Sequence, residues 1–264
     1  MKKRVISAIV ALIIVIPLLL TGGVLYNGGV VILSLLALRE FLKARETKKE
    51  LPLFINFISY IILVLIVATG VNTNNMVFTV DFRIISALIM VFLLPTILYH
   101  DRKLYSVTDA FYLLGGVFFL GIGFSLLIVY RNINLLLLVY LMLITITTDS
   151  YAYIIGRLIG KHKLLETISP NKTWEGMISG TVIGTIIPTV FYVVAVGNNP
   201  IKMLFITLFL SILGQFGDLV FSAIKRYFGK KDFSNIMPGH GGILDRLDSI
   251  IFVMLGFVFF IPFI

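Results

Sequence analysis

The sequence contains no cysteine and few charged residues, which make up only 13% of its 264 positions. The lack of thiols excludes disulfides and thiolate metal sites. The charges that are present are grouped between long uncharged blocks. Such a composition is not that of an ordinary soluble domain.

Hydrophobic residues take their place: they form 59% of the chain, and the mean hydropathy is +1.04. A soluble domain would contain roughly 45–50% apolar residues. The apolar blocks approach the ~20 residues that a helix needs to cross ~30 Å of hydrocarbon. They predict an all-α polytopic membrane protein that is one integral membrane domain over residues 1–264. About nine transmembrane helices are expected, at residues 5–22, 24–38, 53–71, 83–99, 107–129, 133–156, 176–196, 201–224 and 243–264.

The first apolar block follows Lys2, Lys3 and Arg4, an order also found in signal peptides. No small-residue cleavage site stands out after it, and equally hydrophobic segments continue along the chain. The sequence therefore predicts a retained first helix.

The basic residues are distributed unequally between the two sides of the predicted membrane. If the N-terminus is cytoplasmic, all but three of the 22 lysines and arginines are cytoplasmic, the exceptions being Arg83, Arg131 and Lys202. This asymmetry agrees with the positive-inside rule. It explains the net charge of +9 without nucleic acid, and adds affinity for anionic lipids. We expect a multi-pass membrane protein with its active site facing the cytoplasm.

Four aspartates lie in or beside the later apolar blocks. Asp149 ends the sixth, Asp218 lies inside the eighth, and Asp245 and Asp248 open the ninth. An aspartate at mid-helix costs about 2.5–3.5 kcal/mol on the insertion scale, so four of them need compensation. Carboxylate oxygens with water and phosphates are the ligands that Mg²⁺ accepts. The sequence predicts that these four residues bind Mg²⁺, and the presence of a second cation stays open.

Polar and basic residues accompany the aspartates at helical spacing. Asp218, Ser222 and Lys225 fall on one helix face. Arg226 adds a second basic group at the helix end, and a glycine-rich turn at 238–242 then runs into the ninth segment. Basic side chains and backbone N–H groups at a helix start suit phosphate oxygens. The pattern predicts a site for phosphate and metal.

A third polar stretch follows Asp149, whose helix is expected to continue toward Gly160. Next comes Ile168-Ser-Pro-Asn-Lys-Thr-Trp-Glu-Gly176. The Ser-Pro-Asn part is a turn signal, and Lys172 is available to bind phosphate. Catalytic helices and loops are thus expected over residues 141–264, after a set of N-terminal helices over residues 1–140.

These stretches resemble the phosphatidate cytidylyltransferases (CDP-diacylglycerol synthases). The residues that carry the resemblance are Ser222-Ala-Ile-Lys-Arg226, Lys231-Asp232 and Pro238-Gly-His-Gly-Gly-Ile-Leu-Asp-Arg-Leu-Asp248, with the block from Asp149 to Gly176 as a second match. The resemblance implies transfer of a cytidylyl group from CTP to phosphatidic acid, giving CDP-diacylglycerol and pyrophosphate, with Mg²⁺ required. It also implies a homodimer in the cytoplasmic (inner) membrane, with a polar cavity facing the cytoplasm.

Roles for individual residues follow from combining that reaction with the polar groups present. Catalytic roles are expected for Asp218, Asp245, Lys225, Arg226 and His240. Phosphate binding is expected for Lys172, Ser222, Lys231, Gly239, Gly241 and Arg246.

Other functions remain open at this point. The lipid phosphate could be isoprenoid-linked, because the lipid tail would contact only featureless apolar helices. A CTP-dependent lipid kinase is a further alternative. A secondary transporter would also carry intramembrane aspartates, but it would commonly show repeated halves, and here the charges concentrate in the C-terminal part.

Overall fold

The computed structural model describes residues 2–46, 50–72, 82–99, 104–197, 199–237, 239 and 241–263, and these residues are largely helical. The helices and strands are α1 (Lys2–Thr21), α2 (Gly23–Glu46), α3 (Leu53–Thr69), α4 (Phe82–Leu93), α5 (Pro95–Leu98), α6 (Val107–Ile133), α7 (Leu135–Ile159), β1 (Lys163–Leu165), β2 (Ser169–Thr173), α8 (Trp174–Val196), α9 (Pro200–Tyr227) and α10 (Leu244–Phe257). The two strands form an antiparallel hairpin that joins α7 to α8, and 3₁₀ segments follow α3 (Gly70–Asn72) and α10 (Val258–Phe263).

The prediction of an α-helical membrane protein is confirmed. Among the described residues, five helices are long and apolar enough to cross a bilayer, namely α2, α6, α7, α8 and α9, and α1, α3 and α4–α5 contain shorter apolar stretches. Large apolar side chains such as Val24, Leu53 and Val194 are more than four-fifths exposed, as expected for surfaces that face lipid. All nine predicted segments contain helix, although the fourth is divided into α4 and α5.

One helix extends well beyond its predicted end. The second predicted segment ends at residue 38, whereas α2 continues to Glu46. The additional turns are polar, and two of their charged side chains are buried against partners: Glu40 binds Ser234, and Arg45 forms an ion pair with Asp109. Tertiary contacts thus stabilise a helical end that hydropathy assigns to a loop.

The chain divides into two compact units, and the first comprises Met1–Asn132 with Asp232–Leu244. Within it, α2 and α6 pack closely, because the rings of Phe41 and Tyr112 stack at 4.6 Å and Gly116 leaves no room for a Cβ beside Phe41. Gly116 therefore lets α6 approach α2 closely at this position. The prediction of one domain over the whole chain is not tested and stays a prediction.

The second unit comprises Ile133–Lys231 with Asp245–Ile264. Its central contact is between α7 and α8, along a column of glycines on α8. A Cβ on Gly176 would lie 2.6 Å from the carbonyl oxygen of Ala152, and one on Gly180 would lie 2.7 Å from that of Thr148. Small residues four apart allow helix backbones to approach closely, which is how helices associate in lipid.

Hydroxyl groups fill the interior of this unit between α7, α8 and α9. The hydroxyls of Tyr140 and Thr207 share a hydrogen bond of 2.8 Å, and Thr189 donates to Thr207 at 2.9 Å. Thr148 and Ser211 share another at 2.9 Å. Because lipid offers no hydrogen bonds, these contacts favour one pairing of the three helices.

The hairpin between α7 and α8 differs from the prediction at one point. The turn lies at 166–168, and Ser169, Pro170 and Asn171 belong to strand β2 instead of forming the expected turn. The strand ends at Thr173, whose hydroxyl caps α8 by accepting from the Gly176 N–H at 3.2 Å. This cap and the pairing of Lys163 with Thr173 fix the register of the two strands. A turn prediction from residue types alone does not take such contacts into account.

The α7–α8 contact predicts a strong difference between two Gly→Ala variants. Gly180→Ala should lower stability by roughly 1–3 kcal/mol, because its Cβ meets the α7 backbone. Gly115→Ala, where a Cβ has nothing within 4 Å, should be neutral or slightly stabilising. Thermal unfolding midpoints of the detergent-purified proteins measure this, and equal midpoints would contradict the packing described.

Candidate active site

Polar side chains from four elements of the second unit meet at one end of its helices. They come from the end of α7, the strand β2, the last turns of α9 and the first turns of α10. The side chains are Asp149, Lys172, Asp218, Ser222, Lys225, Asp245, Asp248 and Ser249. All but Ser249 are residues that the sequence predicts for the site.

The most enclosed contact is the ion pair between Lys225 on α9 and Asp245 on α10. Lys225 Nζ donates to Asp245 Oδ1 at 2.7 Å, and the two side chains are 10% and 4% exposed. Lys225 follows Asp218 by seven residues, so both face the same side of α9. The pair joins the last turns of α9 to the first turn of α10.

A second ion pair is more open to solvent. The hairpin places Lys172 Nζ 2.6 Å from Asp218 Oδ2, with 26% and 27% of the side chains exposed. Ser222 Oγ, one turn along α9, donates to the other carboxylate oxygen of Asp218 at 3.3 Å. The predicted alignment of Asp218, Ser222 and Lys225 on one face is therefore present.

The remaining two aspartates lie close to Asp218. The carboxylates of Asp149, Asp218 and Asp248 repel one another, and the ammonium groups of Lys172 and Lys225 offset this repulsion. Asp248 is buried and Asp149 is exposed. With Asp245, four carboxylates and two ammonium groups form a compact charged cluster, in which a cation at Asp218 or Asp245, or a phosphate at either lysine, must compete with an existing partner.

Ser249 ties two of these carboxylates together. Its hydroxyl donates to Asp149 Oδ2 at 3.2 Å, and its backbone N–H donates to Asp248 Oδ1 at 2.8 Å. The sequence reasoning missed this residue. Its only signal was its position immediately after Asp248, at the start of a helix.

The cluster matches a hard divalent cation in the kind of donor that it offers. The carboxylate and hydroxyl oxygens are the ligands that Mg²⁺ prefers. In the part of the chain that the structure describes, no group of three Asp, Glu or His side chains is arranged at ligand distance. Lysine ammonium groups occupy Asp218 and Asp245 instead. The prediction of Mg²⁺ is not tested by this arrangement and stays a prediction.

Several predicted residues lie outside this cluster or outside the part of the chain that the structure describes. The guanidinium of Arg226 donates to the backbone carbonyls of Ile168 and Lys230, at 3.2 and 3.0 Å, and so anchors the hairpin to the end of α9. Arg246 is exposed and attracts Asp149, and Lys231 is exposed. Gly239 and Gly241 belong to the first unit, and His240 lies outside the described residues. Their predicted roles stay predictions.

The arrangement of lysines and carboxylates at helix ends suits phosphate and metal chemistry, and the comparison with known proteins agrees. Residues 2–264 match the cytidylyltransferase family. The chain belongs to the cytidylyltransferase family. It is therefore a nucleotidyltransferase, and the resemblance drawn from the sequence motifs is confirmed.

Curated relatives of this cytidylyltransferase cover almost its full length. A phosphatidate cytidylyltransferase of Staphylococcus haemolyticus is 41% identical over 256 residues, which are 96% of this chain and 96% of the relative. Proteins of the same name from Staphylococcus saprophyticus and Staphylococcus aureus are 39% and 41% identical over the same shares.

The two ion pairs of this cytidylyltransferase predict unequal effects on stability. Lys225→Met removes one member of a buried pair, which costs about 3–5 kcal/mol. Lys172→Met breaks a half-exposed pair, worth about 0–1 kcal/mol. The thermal midpoint in detergent should therefore fall much further for Lys225→Met.

Pairing Lys225→Met with Asp245→Leu provides a control. Apolar replacement of both members removes the uncompensated charge, so part of the lost stability should return. Equal losses for the Lys172 and Lys225 variants would contradict the difference in burial.

Proposed function

We propose that this cytidylyltransferase transfers the cytidylyl group of CTP to phosphatidic acid, forming CDP-diacylglycerol and pyrophosphate for phospholipid synthesis. The observation that carries the proposal is the cluster of four carboxylates and two lysines on helices of which two, α7 and α9, are long and apolar enough to span a membrane. The relatives are named for the same reaction, as phosphatidate cytidylyltransferases. A site at a helix end suits one lipid and one water-soluble substrate.

The reaction requires a new bond between an oxygen of the lipid phosphate and the α-phosphorus of CTP. The bond from this phosphorus to the β-phosphate bridging oxygen breaks, and pyrophosphate leaves with its electron pair. A phosphate monoester is largely dianionic at pH 7, so the nucleophile needs no general base. The difficulty is to bring two polyanions together, so catalysis rests on positioning and charge neutralisation.

The lysines of the cluster suit charge neutralisation. Lys172 comes from a hairpin strand and its pair with Asp218 is half-exposed, so phosphate oxygens can compete for its ammonium group. Lys225 forms an ion pair with Asp245 that is almost shielded from solvent, so its positive charge is fixed beside the carboxylates. We assign to Lys172 the binding of an incoming phosphate. To Lys225 we assign a positive charge whose position is fixed before the substrates bind.

The carboxylates suit the binding of Mg²⁺, which when bound neutralises phosphate oxygens. Asp149, Asp218 and Asp248 lie together and repel one another, an arrangement that a cation stabilises. Asp245 was predicted as a ligand, but its carboxylate is already paired with the buried Lys225. We therefore assign the cation to Asp149, Asp218 and Asp248, and to Asp245 the orientation of Lys225.

We further propose that the chain crosses the membrane about nine times with a cytoplasmic N-terminus, and that two copies form a homodimer. The asymmetry of basic residues supports the topology. On this topology the hairpin and the aspartate cluster face the cytoplasm, where CTP is available.

The activity is tested by pyrophosphate release from CTP by the detergent-purified full-length protein. Release should require both phosphatidic acid and Mg²⁺, stop with a chelator, and leave CDP-diacylglycerol in the lipid phase. Release with an isoprenoid phosphate alone would transfer the proposal to another lipid. No nucleotide turnover with any lipid phosphate would refute it.

The assay also tests the residues. Asp218→Asn should lose at least about 100-fold in kcat, because one positioned charge is lost from the transition state. Glu166→Gln, on the exposed hairpin turn, is the matched control and should keep wild-type activity. Full activity of Asp218→Asn at ordinary Mg²⁺ concentration would refute the assigned role.

Topology is open to direct measurement because the chain has no cysteine, so an introduced one is the only thiol. Glu166→Cys should react with a membrane-impermeant maleimide only from the cytoplasmic side, and Asn132→Cys only from the outer side. Both positions are exposed. Labelling of both from one side would exclude the proposed orientation.

A further inference from the structure

A buried carboxylate of the first unit lies outside the aspartate cluster and has no part in the mechanism above. Glu40, on the last turns of α2, is only 1% exposed. Its oxygens accept hydrogen bonds from the Ser234 hydroxyl at 2.5 Å and from the backbone N–H groups of Ile243 and Leu244, each at 2.9 Å. These donors satisfy the buried carboxylate, which would carry a large desolvation penalty without hydrogen bonds.

The donors lie in the connection between α9 and α10, which covers residues 228–243, and at the first residue of α10. Ser234 is near the middle of this connection, Ile243 ends it and Leu244 begins the helix, so a single carboxylate holds the middle of the connection to the helix start. Among the described residues between these points, the Met237 N–H donates to the Gly241 carbonyl at 2.9 Å. Gly241 has φ +83°, a left-handed conformation that glycine adopts readily.

Glu40 also caps a helix from a distance. Leu244 is the first residue of α10, and the N–H groups at a helix start have no partners within the helix. A carboxylate there satisfies these groups and interacts favourably with the helix dipole. Asp245, the next residue along the backbone, is the one that holds Lys225.

Gly242 shows how closely the carboxylate fits. A Cβ at this position would lie 2.6 Å from both carboxylate oxygens of Glu40, so any larger residue would displace one or the other. The glycine-rich turn therefore has a structural requirement at Gly242 that is separate from phosphate binding.

We propose that Glu40 is a positioning residue for cytidylyl transfer, which holds Ser234, Ile243 and Leu244 together at the start of α10 and thereby fixes the direction of Asp245. The effect passes along the backbone from Leu244 into α10. This inference rests on the proposed transfer reaction. It assigns to α2, far from the motifs in sequence, control of how the helix bearing Asp245 and Asp248 begins.

The test compares Glu40→Gln with Ser34→Ala in the full-length protein. The amide has one oxygen and an NH2 group that cannot accept, so the loop and helix start should loosen. Ser34 is buried in the same helix, and its hydroxyl donates to the Val31 carbonyl within its own turn. For Glu40→Gln we expect kcat to fall roughly 100-fold, as for a misplacement of about 1 Å. KM for CTP should stay within about threefold, and Ser34→Ala should behave as wild type.

Backbone hydrogen exchange supplies a measurement that does not depend on activity. In Glu40→Gln the peptide covering 234–244 should exchange faster while the rest of the chain is unchanged. Glu40→Asp, which keeps the charge, should recover part of kcat. Gly242→Ala should reproduce the Glu40→Gln pattern, and if Glu40→Gln does not fold, Ser234→Ala should show a milder form of it.

Two results would overturn the proposal. One is wild-type kcat and exchange in Glu40→Gln; the other is faster exchange over the whole chain with kcat and thermal midpoint falling together, which indicates general destabilisation. A wild-type protein that turns over no lipid phosphate refutes the proposed reaction instead, and the exchange measurement then still reports whether Glu40 orders the loop.

Discussion

The Lys225–Asp245 ion pair joins α9 to α10 with both side chains almost removed from solvent. Two such charges are stable away from water only if their geometry is maintained, because either one alone would carry a large desolvation penalty. The other polar side chains of the cluster stabilise the carboxylates beside this pair. Lys172 offsets Asp218 from the hairpin side, and Ser249 donates to both Asp149 and Asp248. An acidic site beside a bilayer is thus held in place by its own lysines and hydroxyls.

The scaffold behind the cluster depends on small and hydroxyl-bearing residues more than on large apolar ones. Gly176 and Gly180 bring the α8 backbone against α7, and threonine hydroxyls then reach across to α9. In lipid, apolar surfaces give little preference for one helix partner over another, whereas close backbone approach and hydrogen bonds do. Glycines and threonines that take no part in the proposed chemistry therefore determine the position of Asp149 relative to Asp218.

Much of this could be predicted from the sequence. Each apolar segment predicted from hydropathy contains helix in the described part of the chain, since crossing a bilayer requires long apolar runs, and i, i+4, i+7 spacing placed Asp218, Ser222 and Lys225 on one face. The motifs identified the family. Local signals failed where tertiary contacts decide: α2 continues to Glu46, and Ser169 to Asn171 form a strand because Thr173 and its pairing fix the register. The partners of Glu40 and Ser249 were not predictable, because no local pattern indicates which distant backbone N–H groups a carboxylate will meet.

The contact between Glu40 and Ser234 spans 194 residues of sequence, which has a consequence for biosynthesis. The Glu40 carboxylate is synthesised 194 residues before the Ser234 hydroxyl that it binds. Until that segment has been made, Glu40 has to keep its hydration, so the end of α2 cannot be fully enclosed while the chain is growing. The arrival of Ser234, Ile243 and Leu244 replaces water at this carboxylate, which makes the burial of the α2 end dependent on a much later part of the chain.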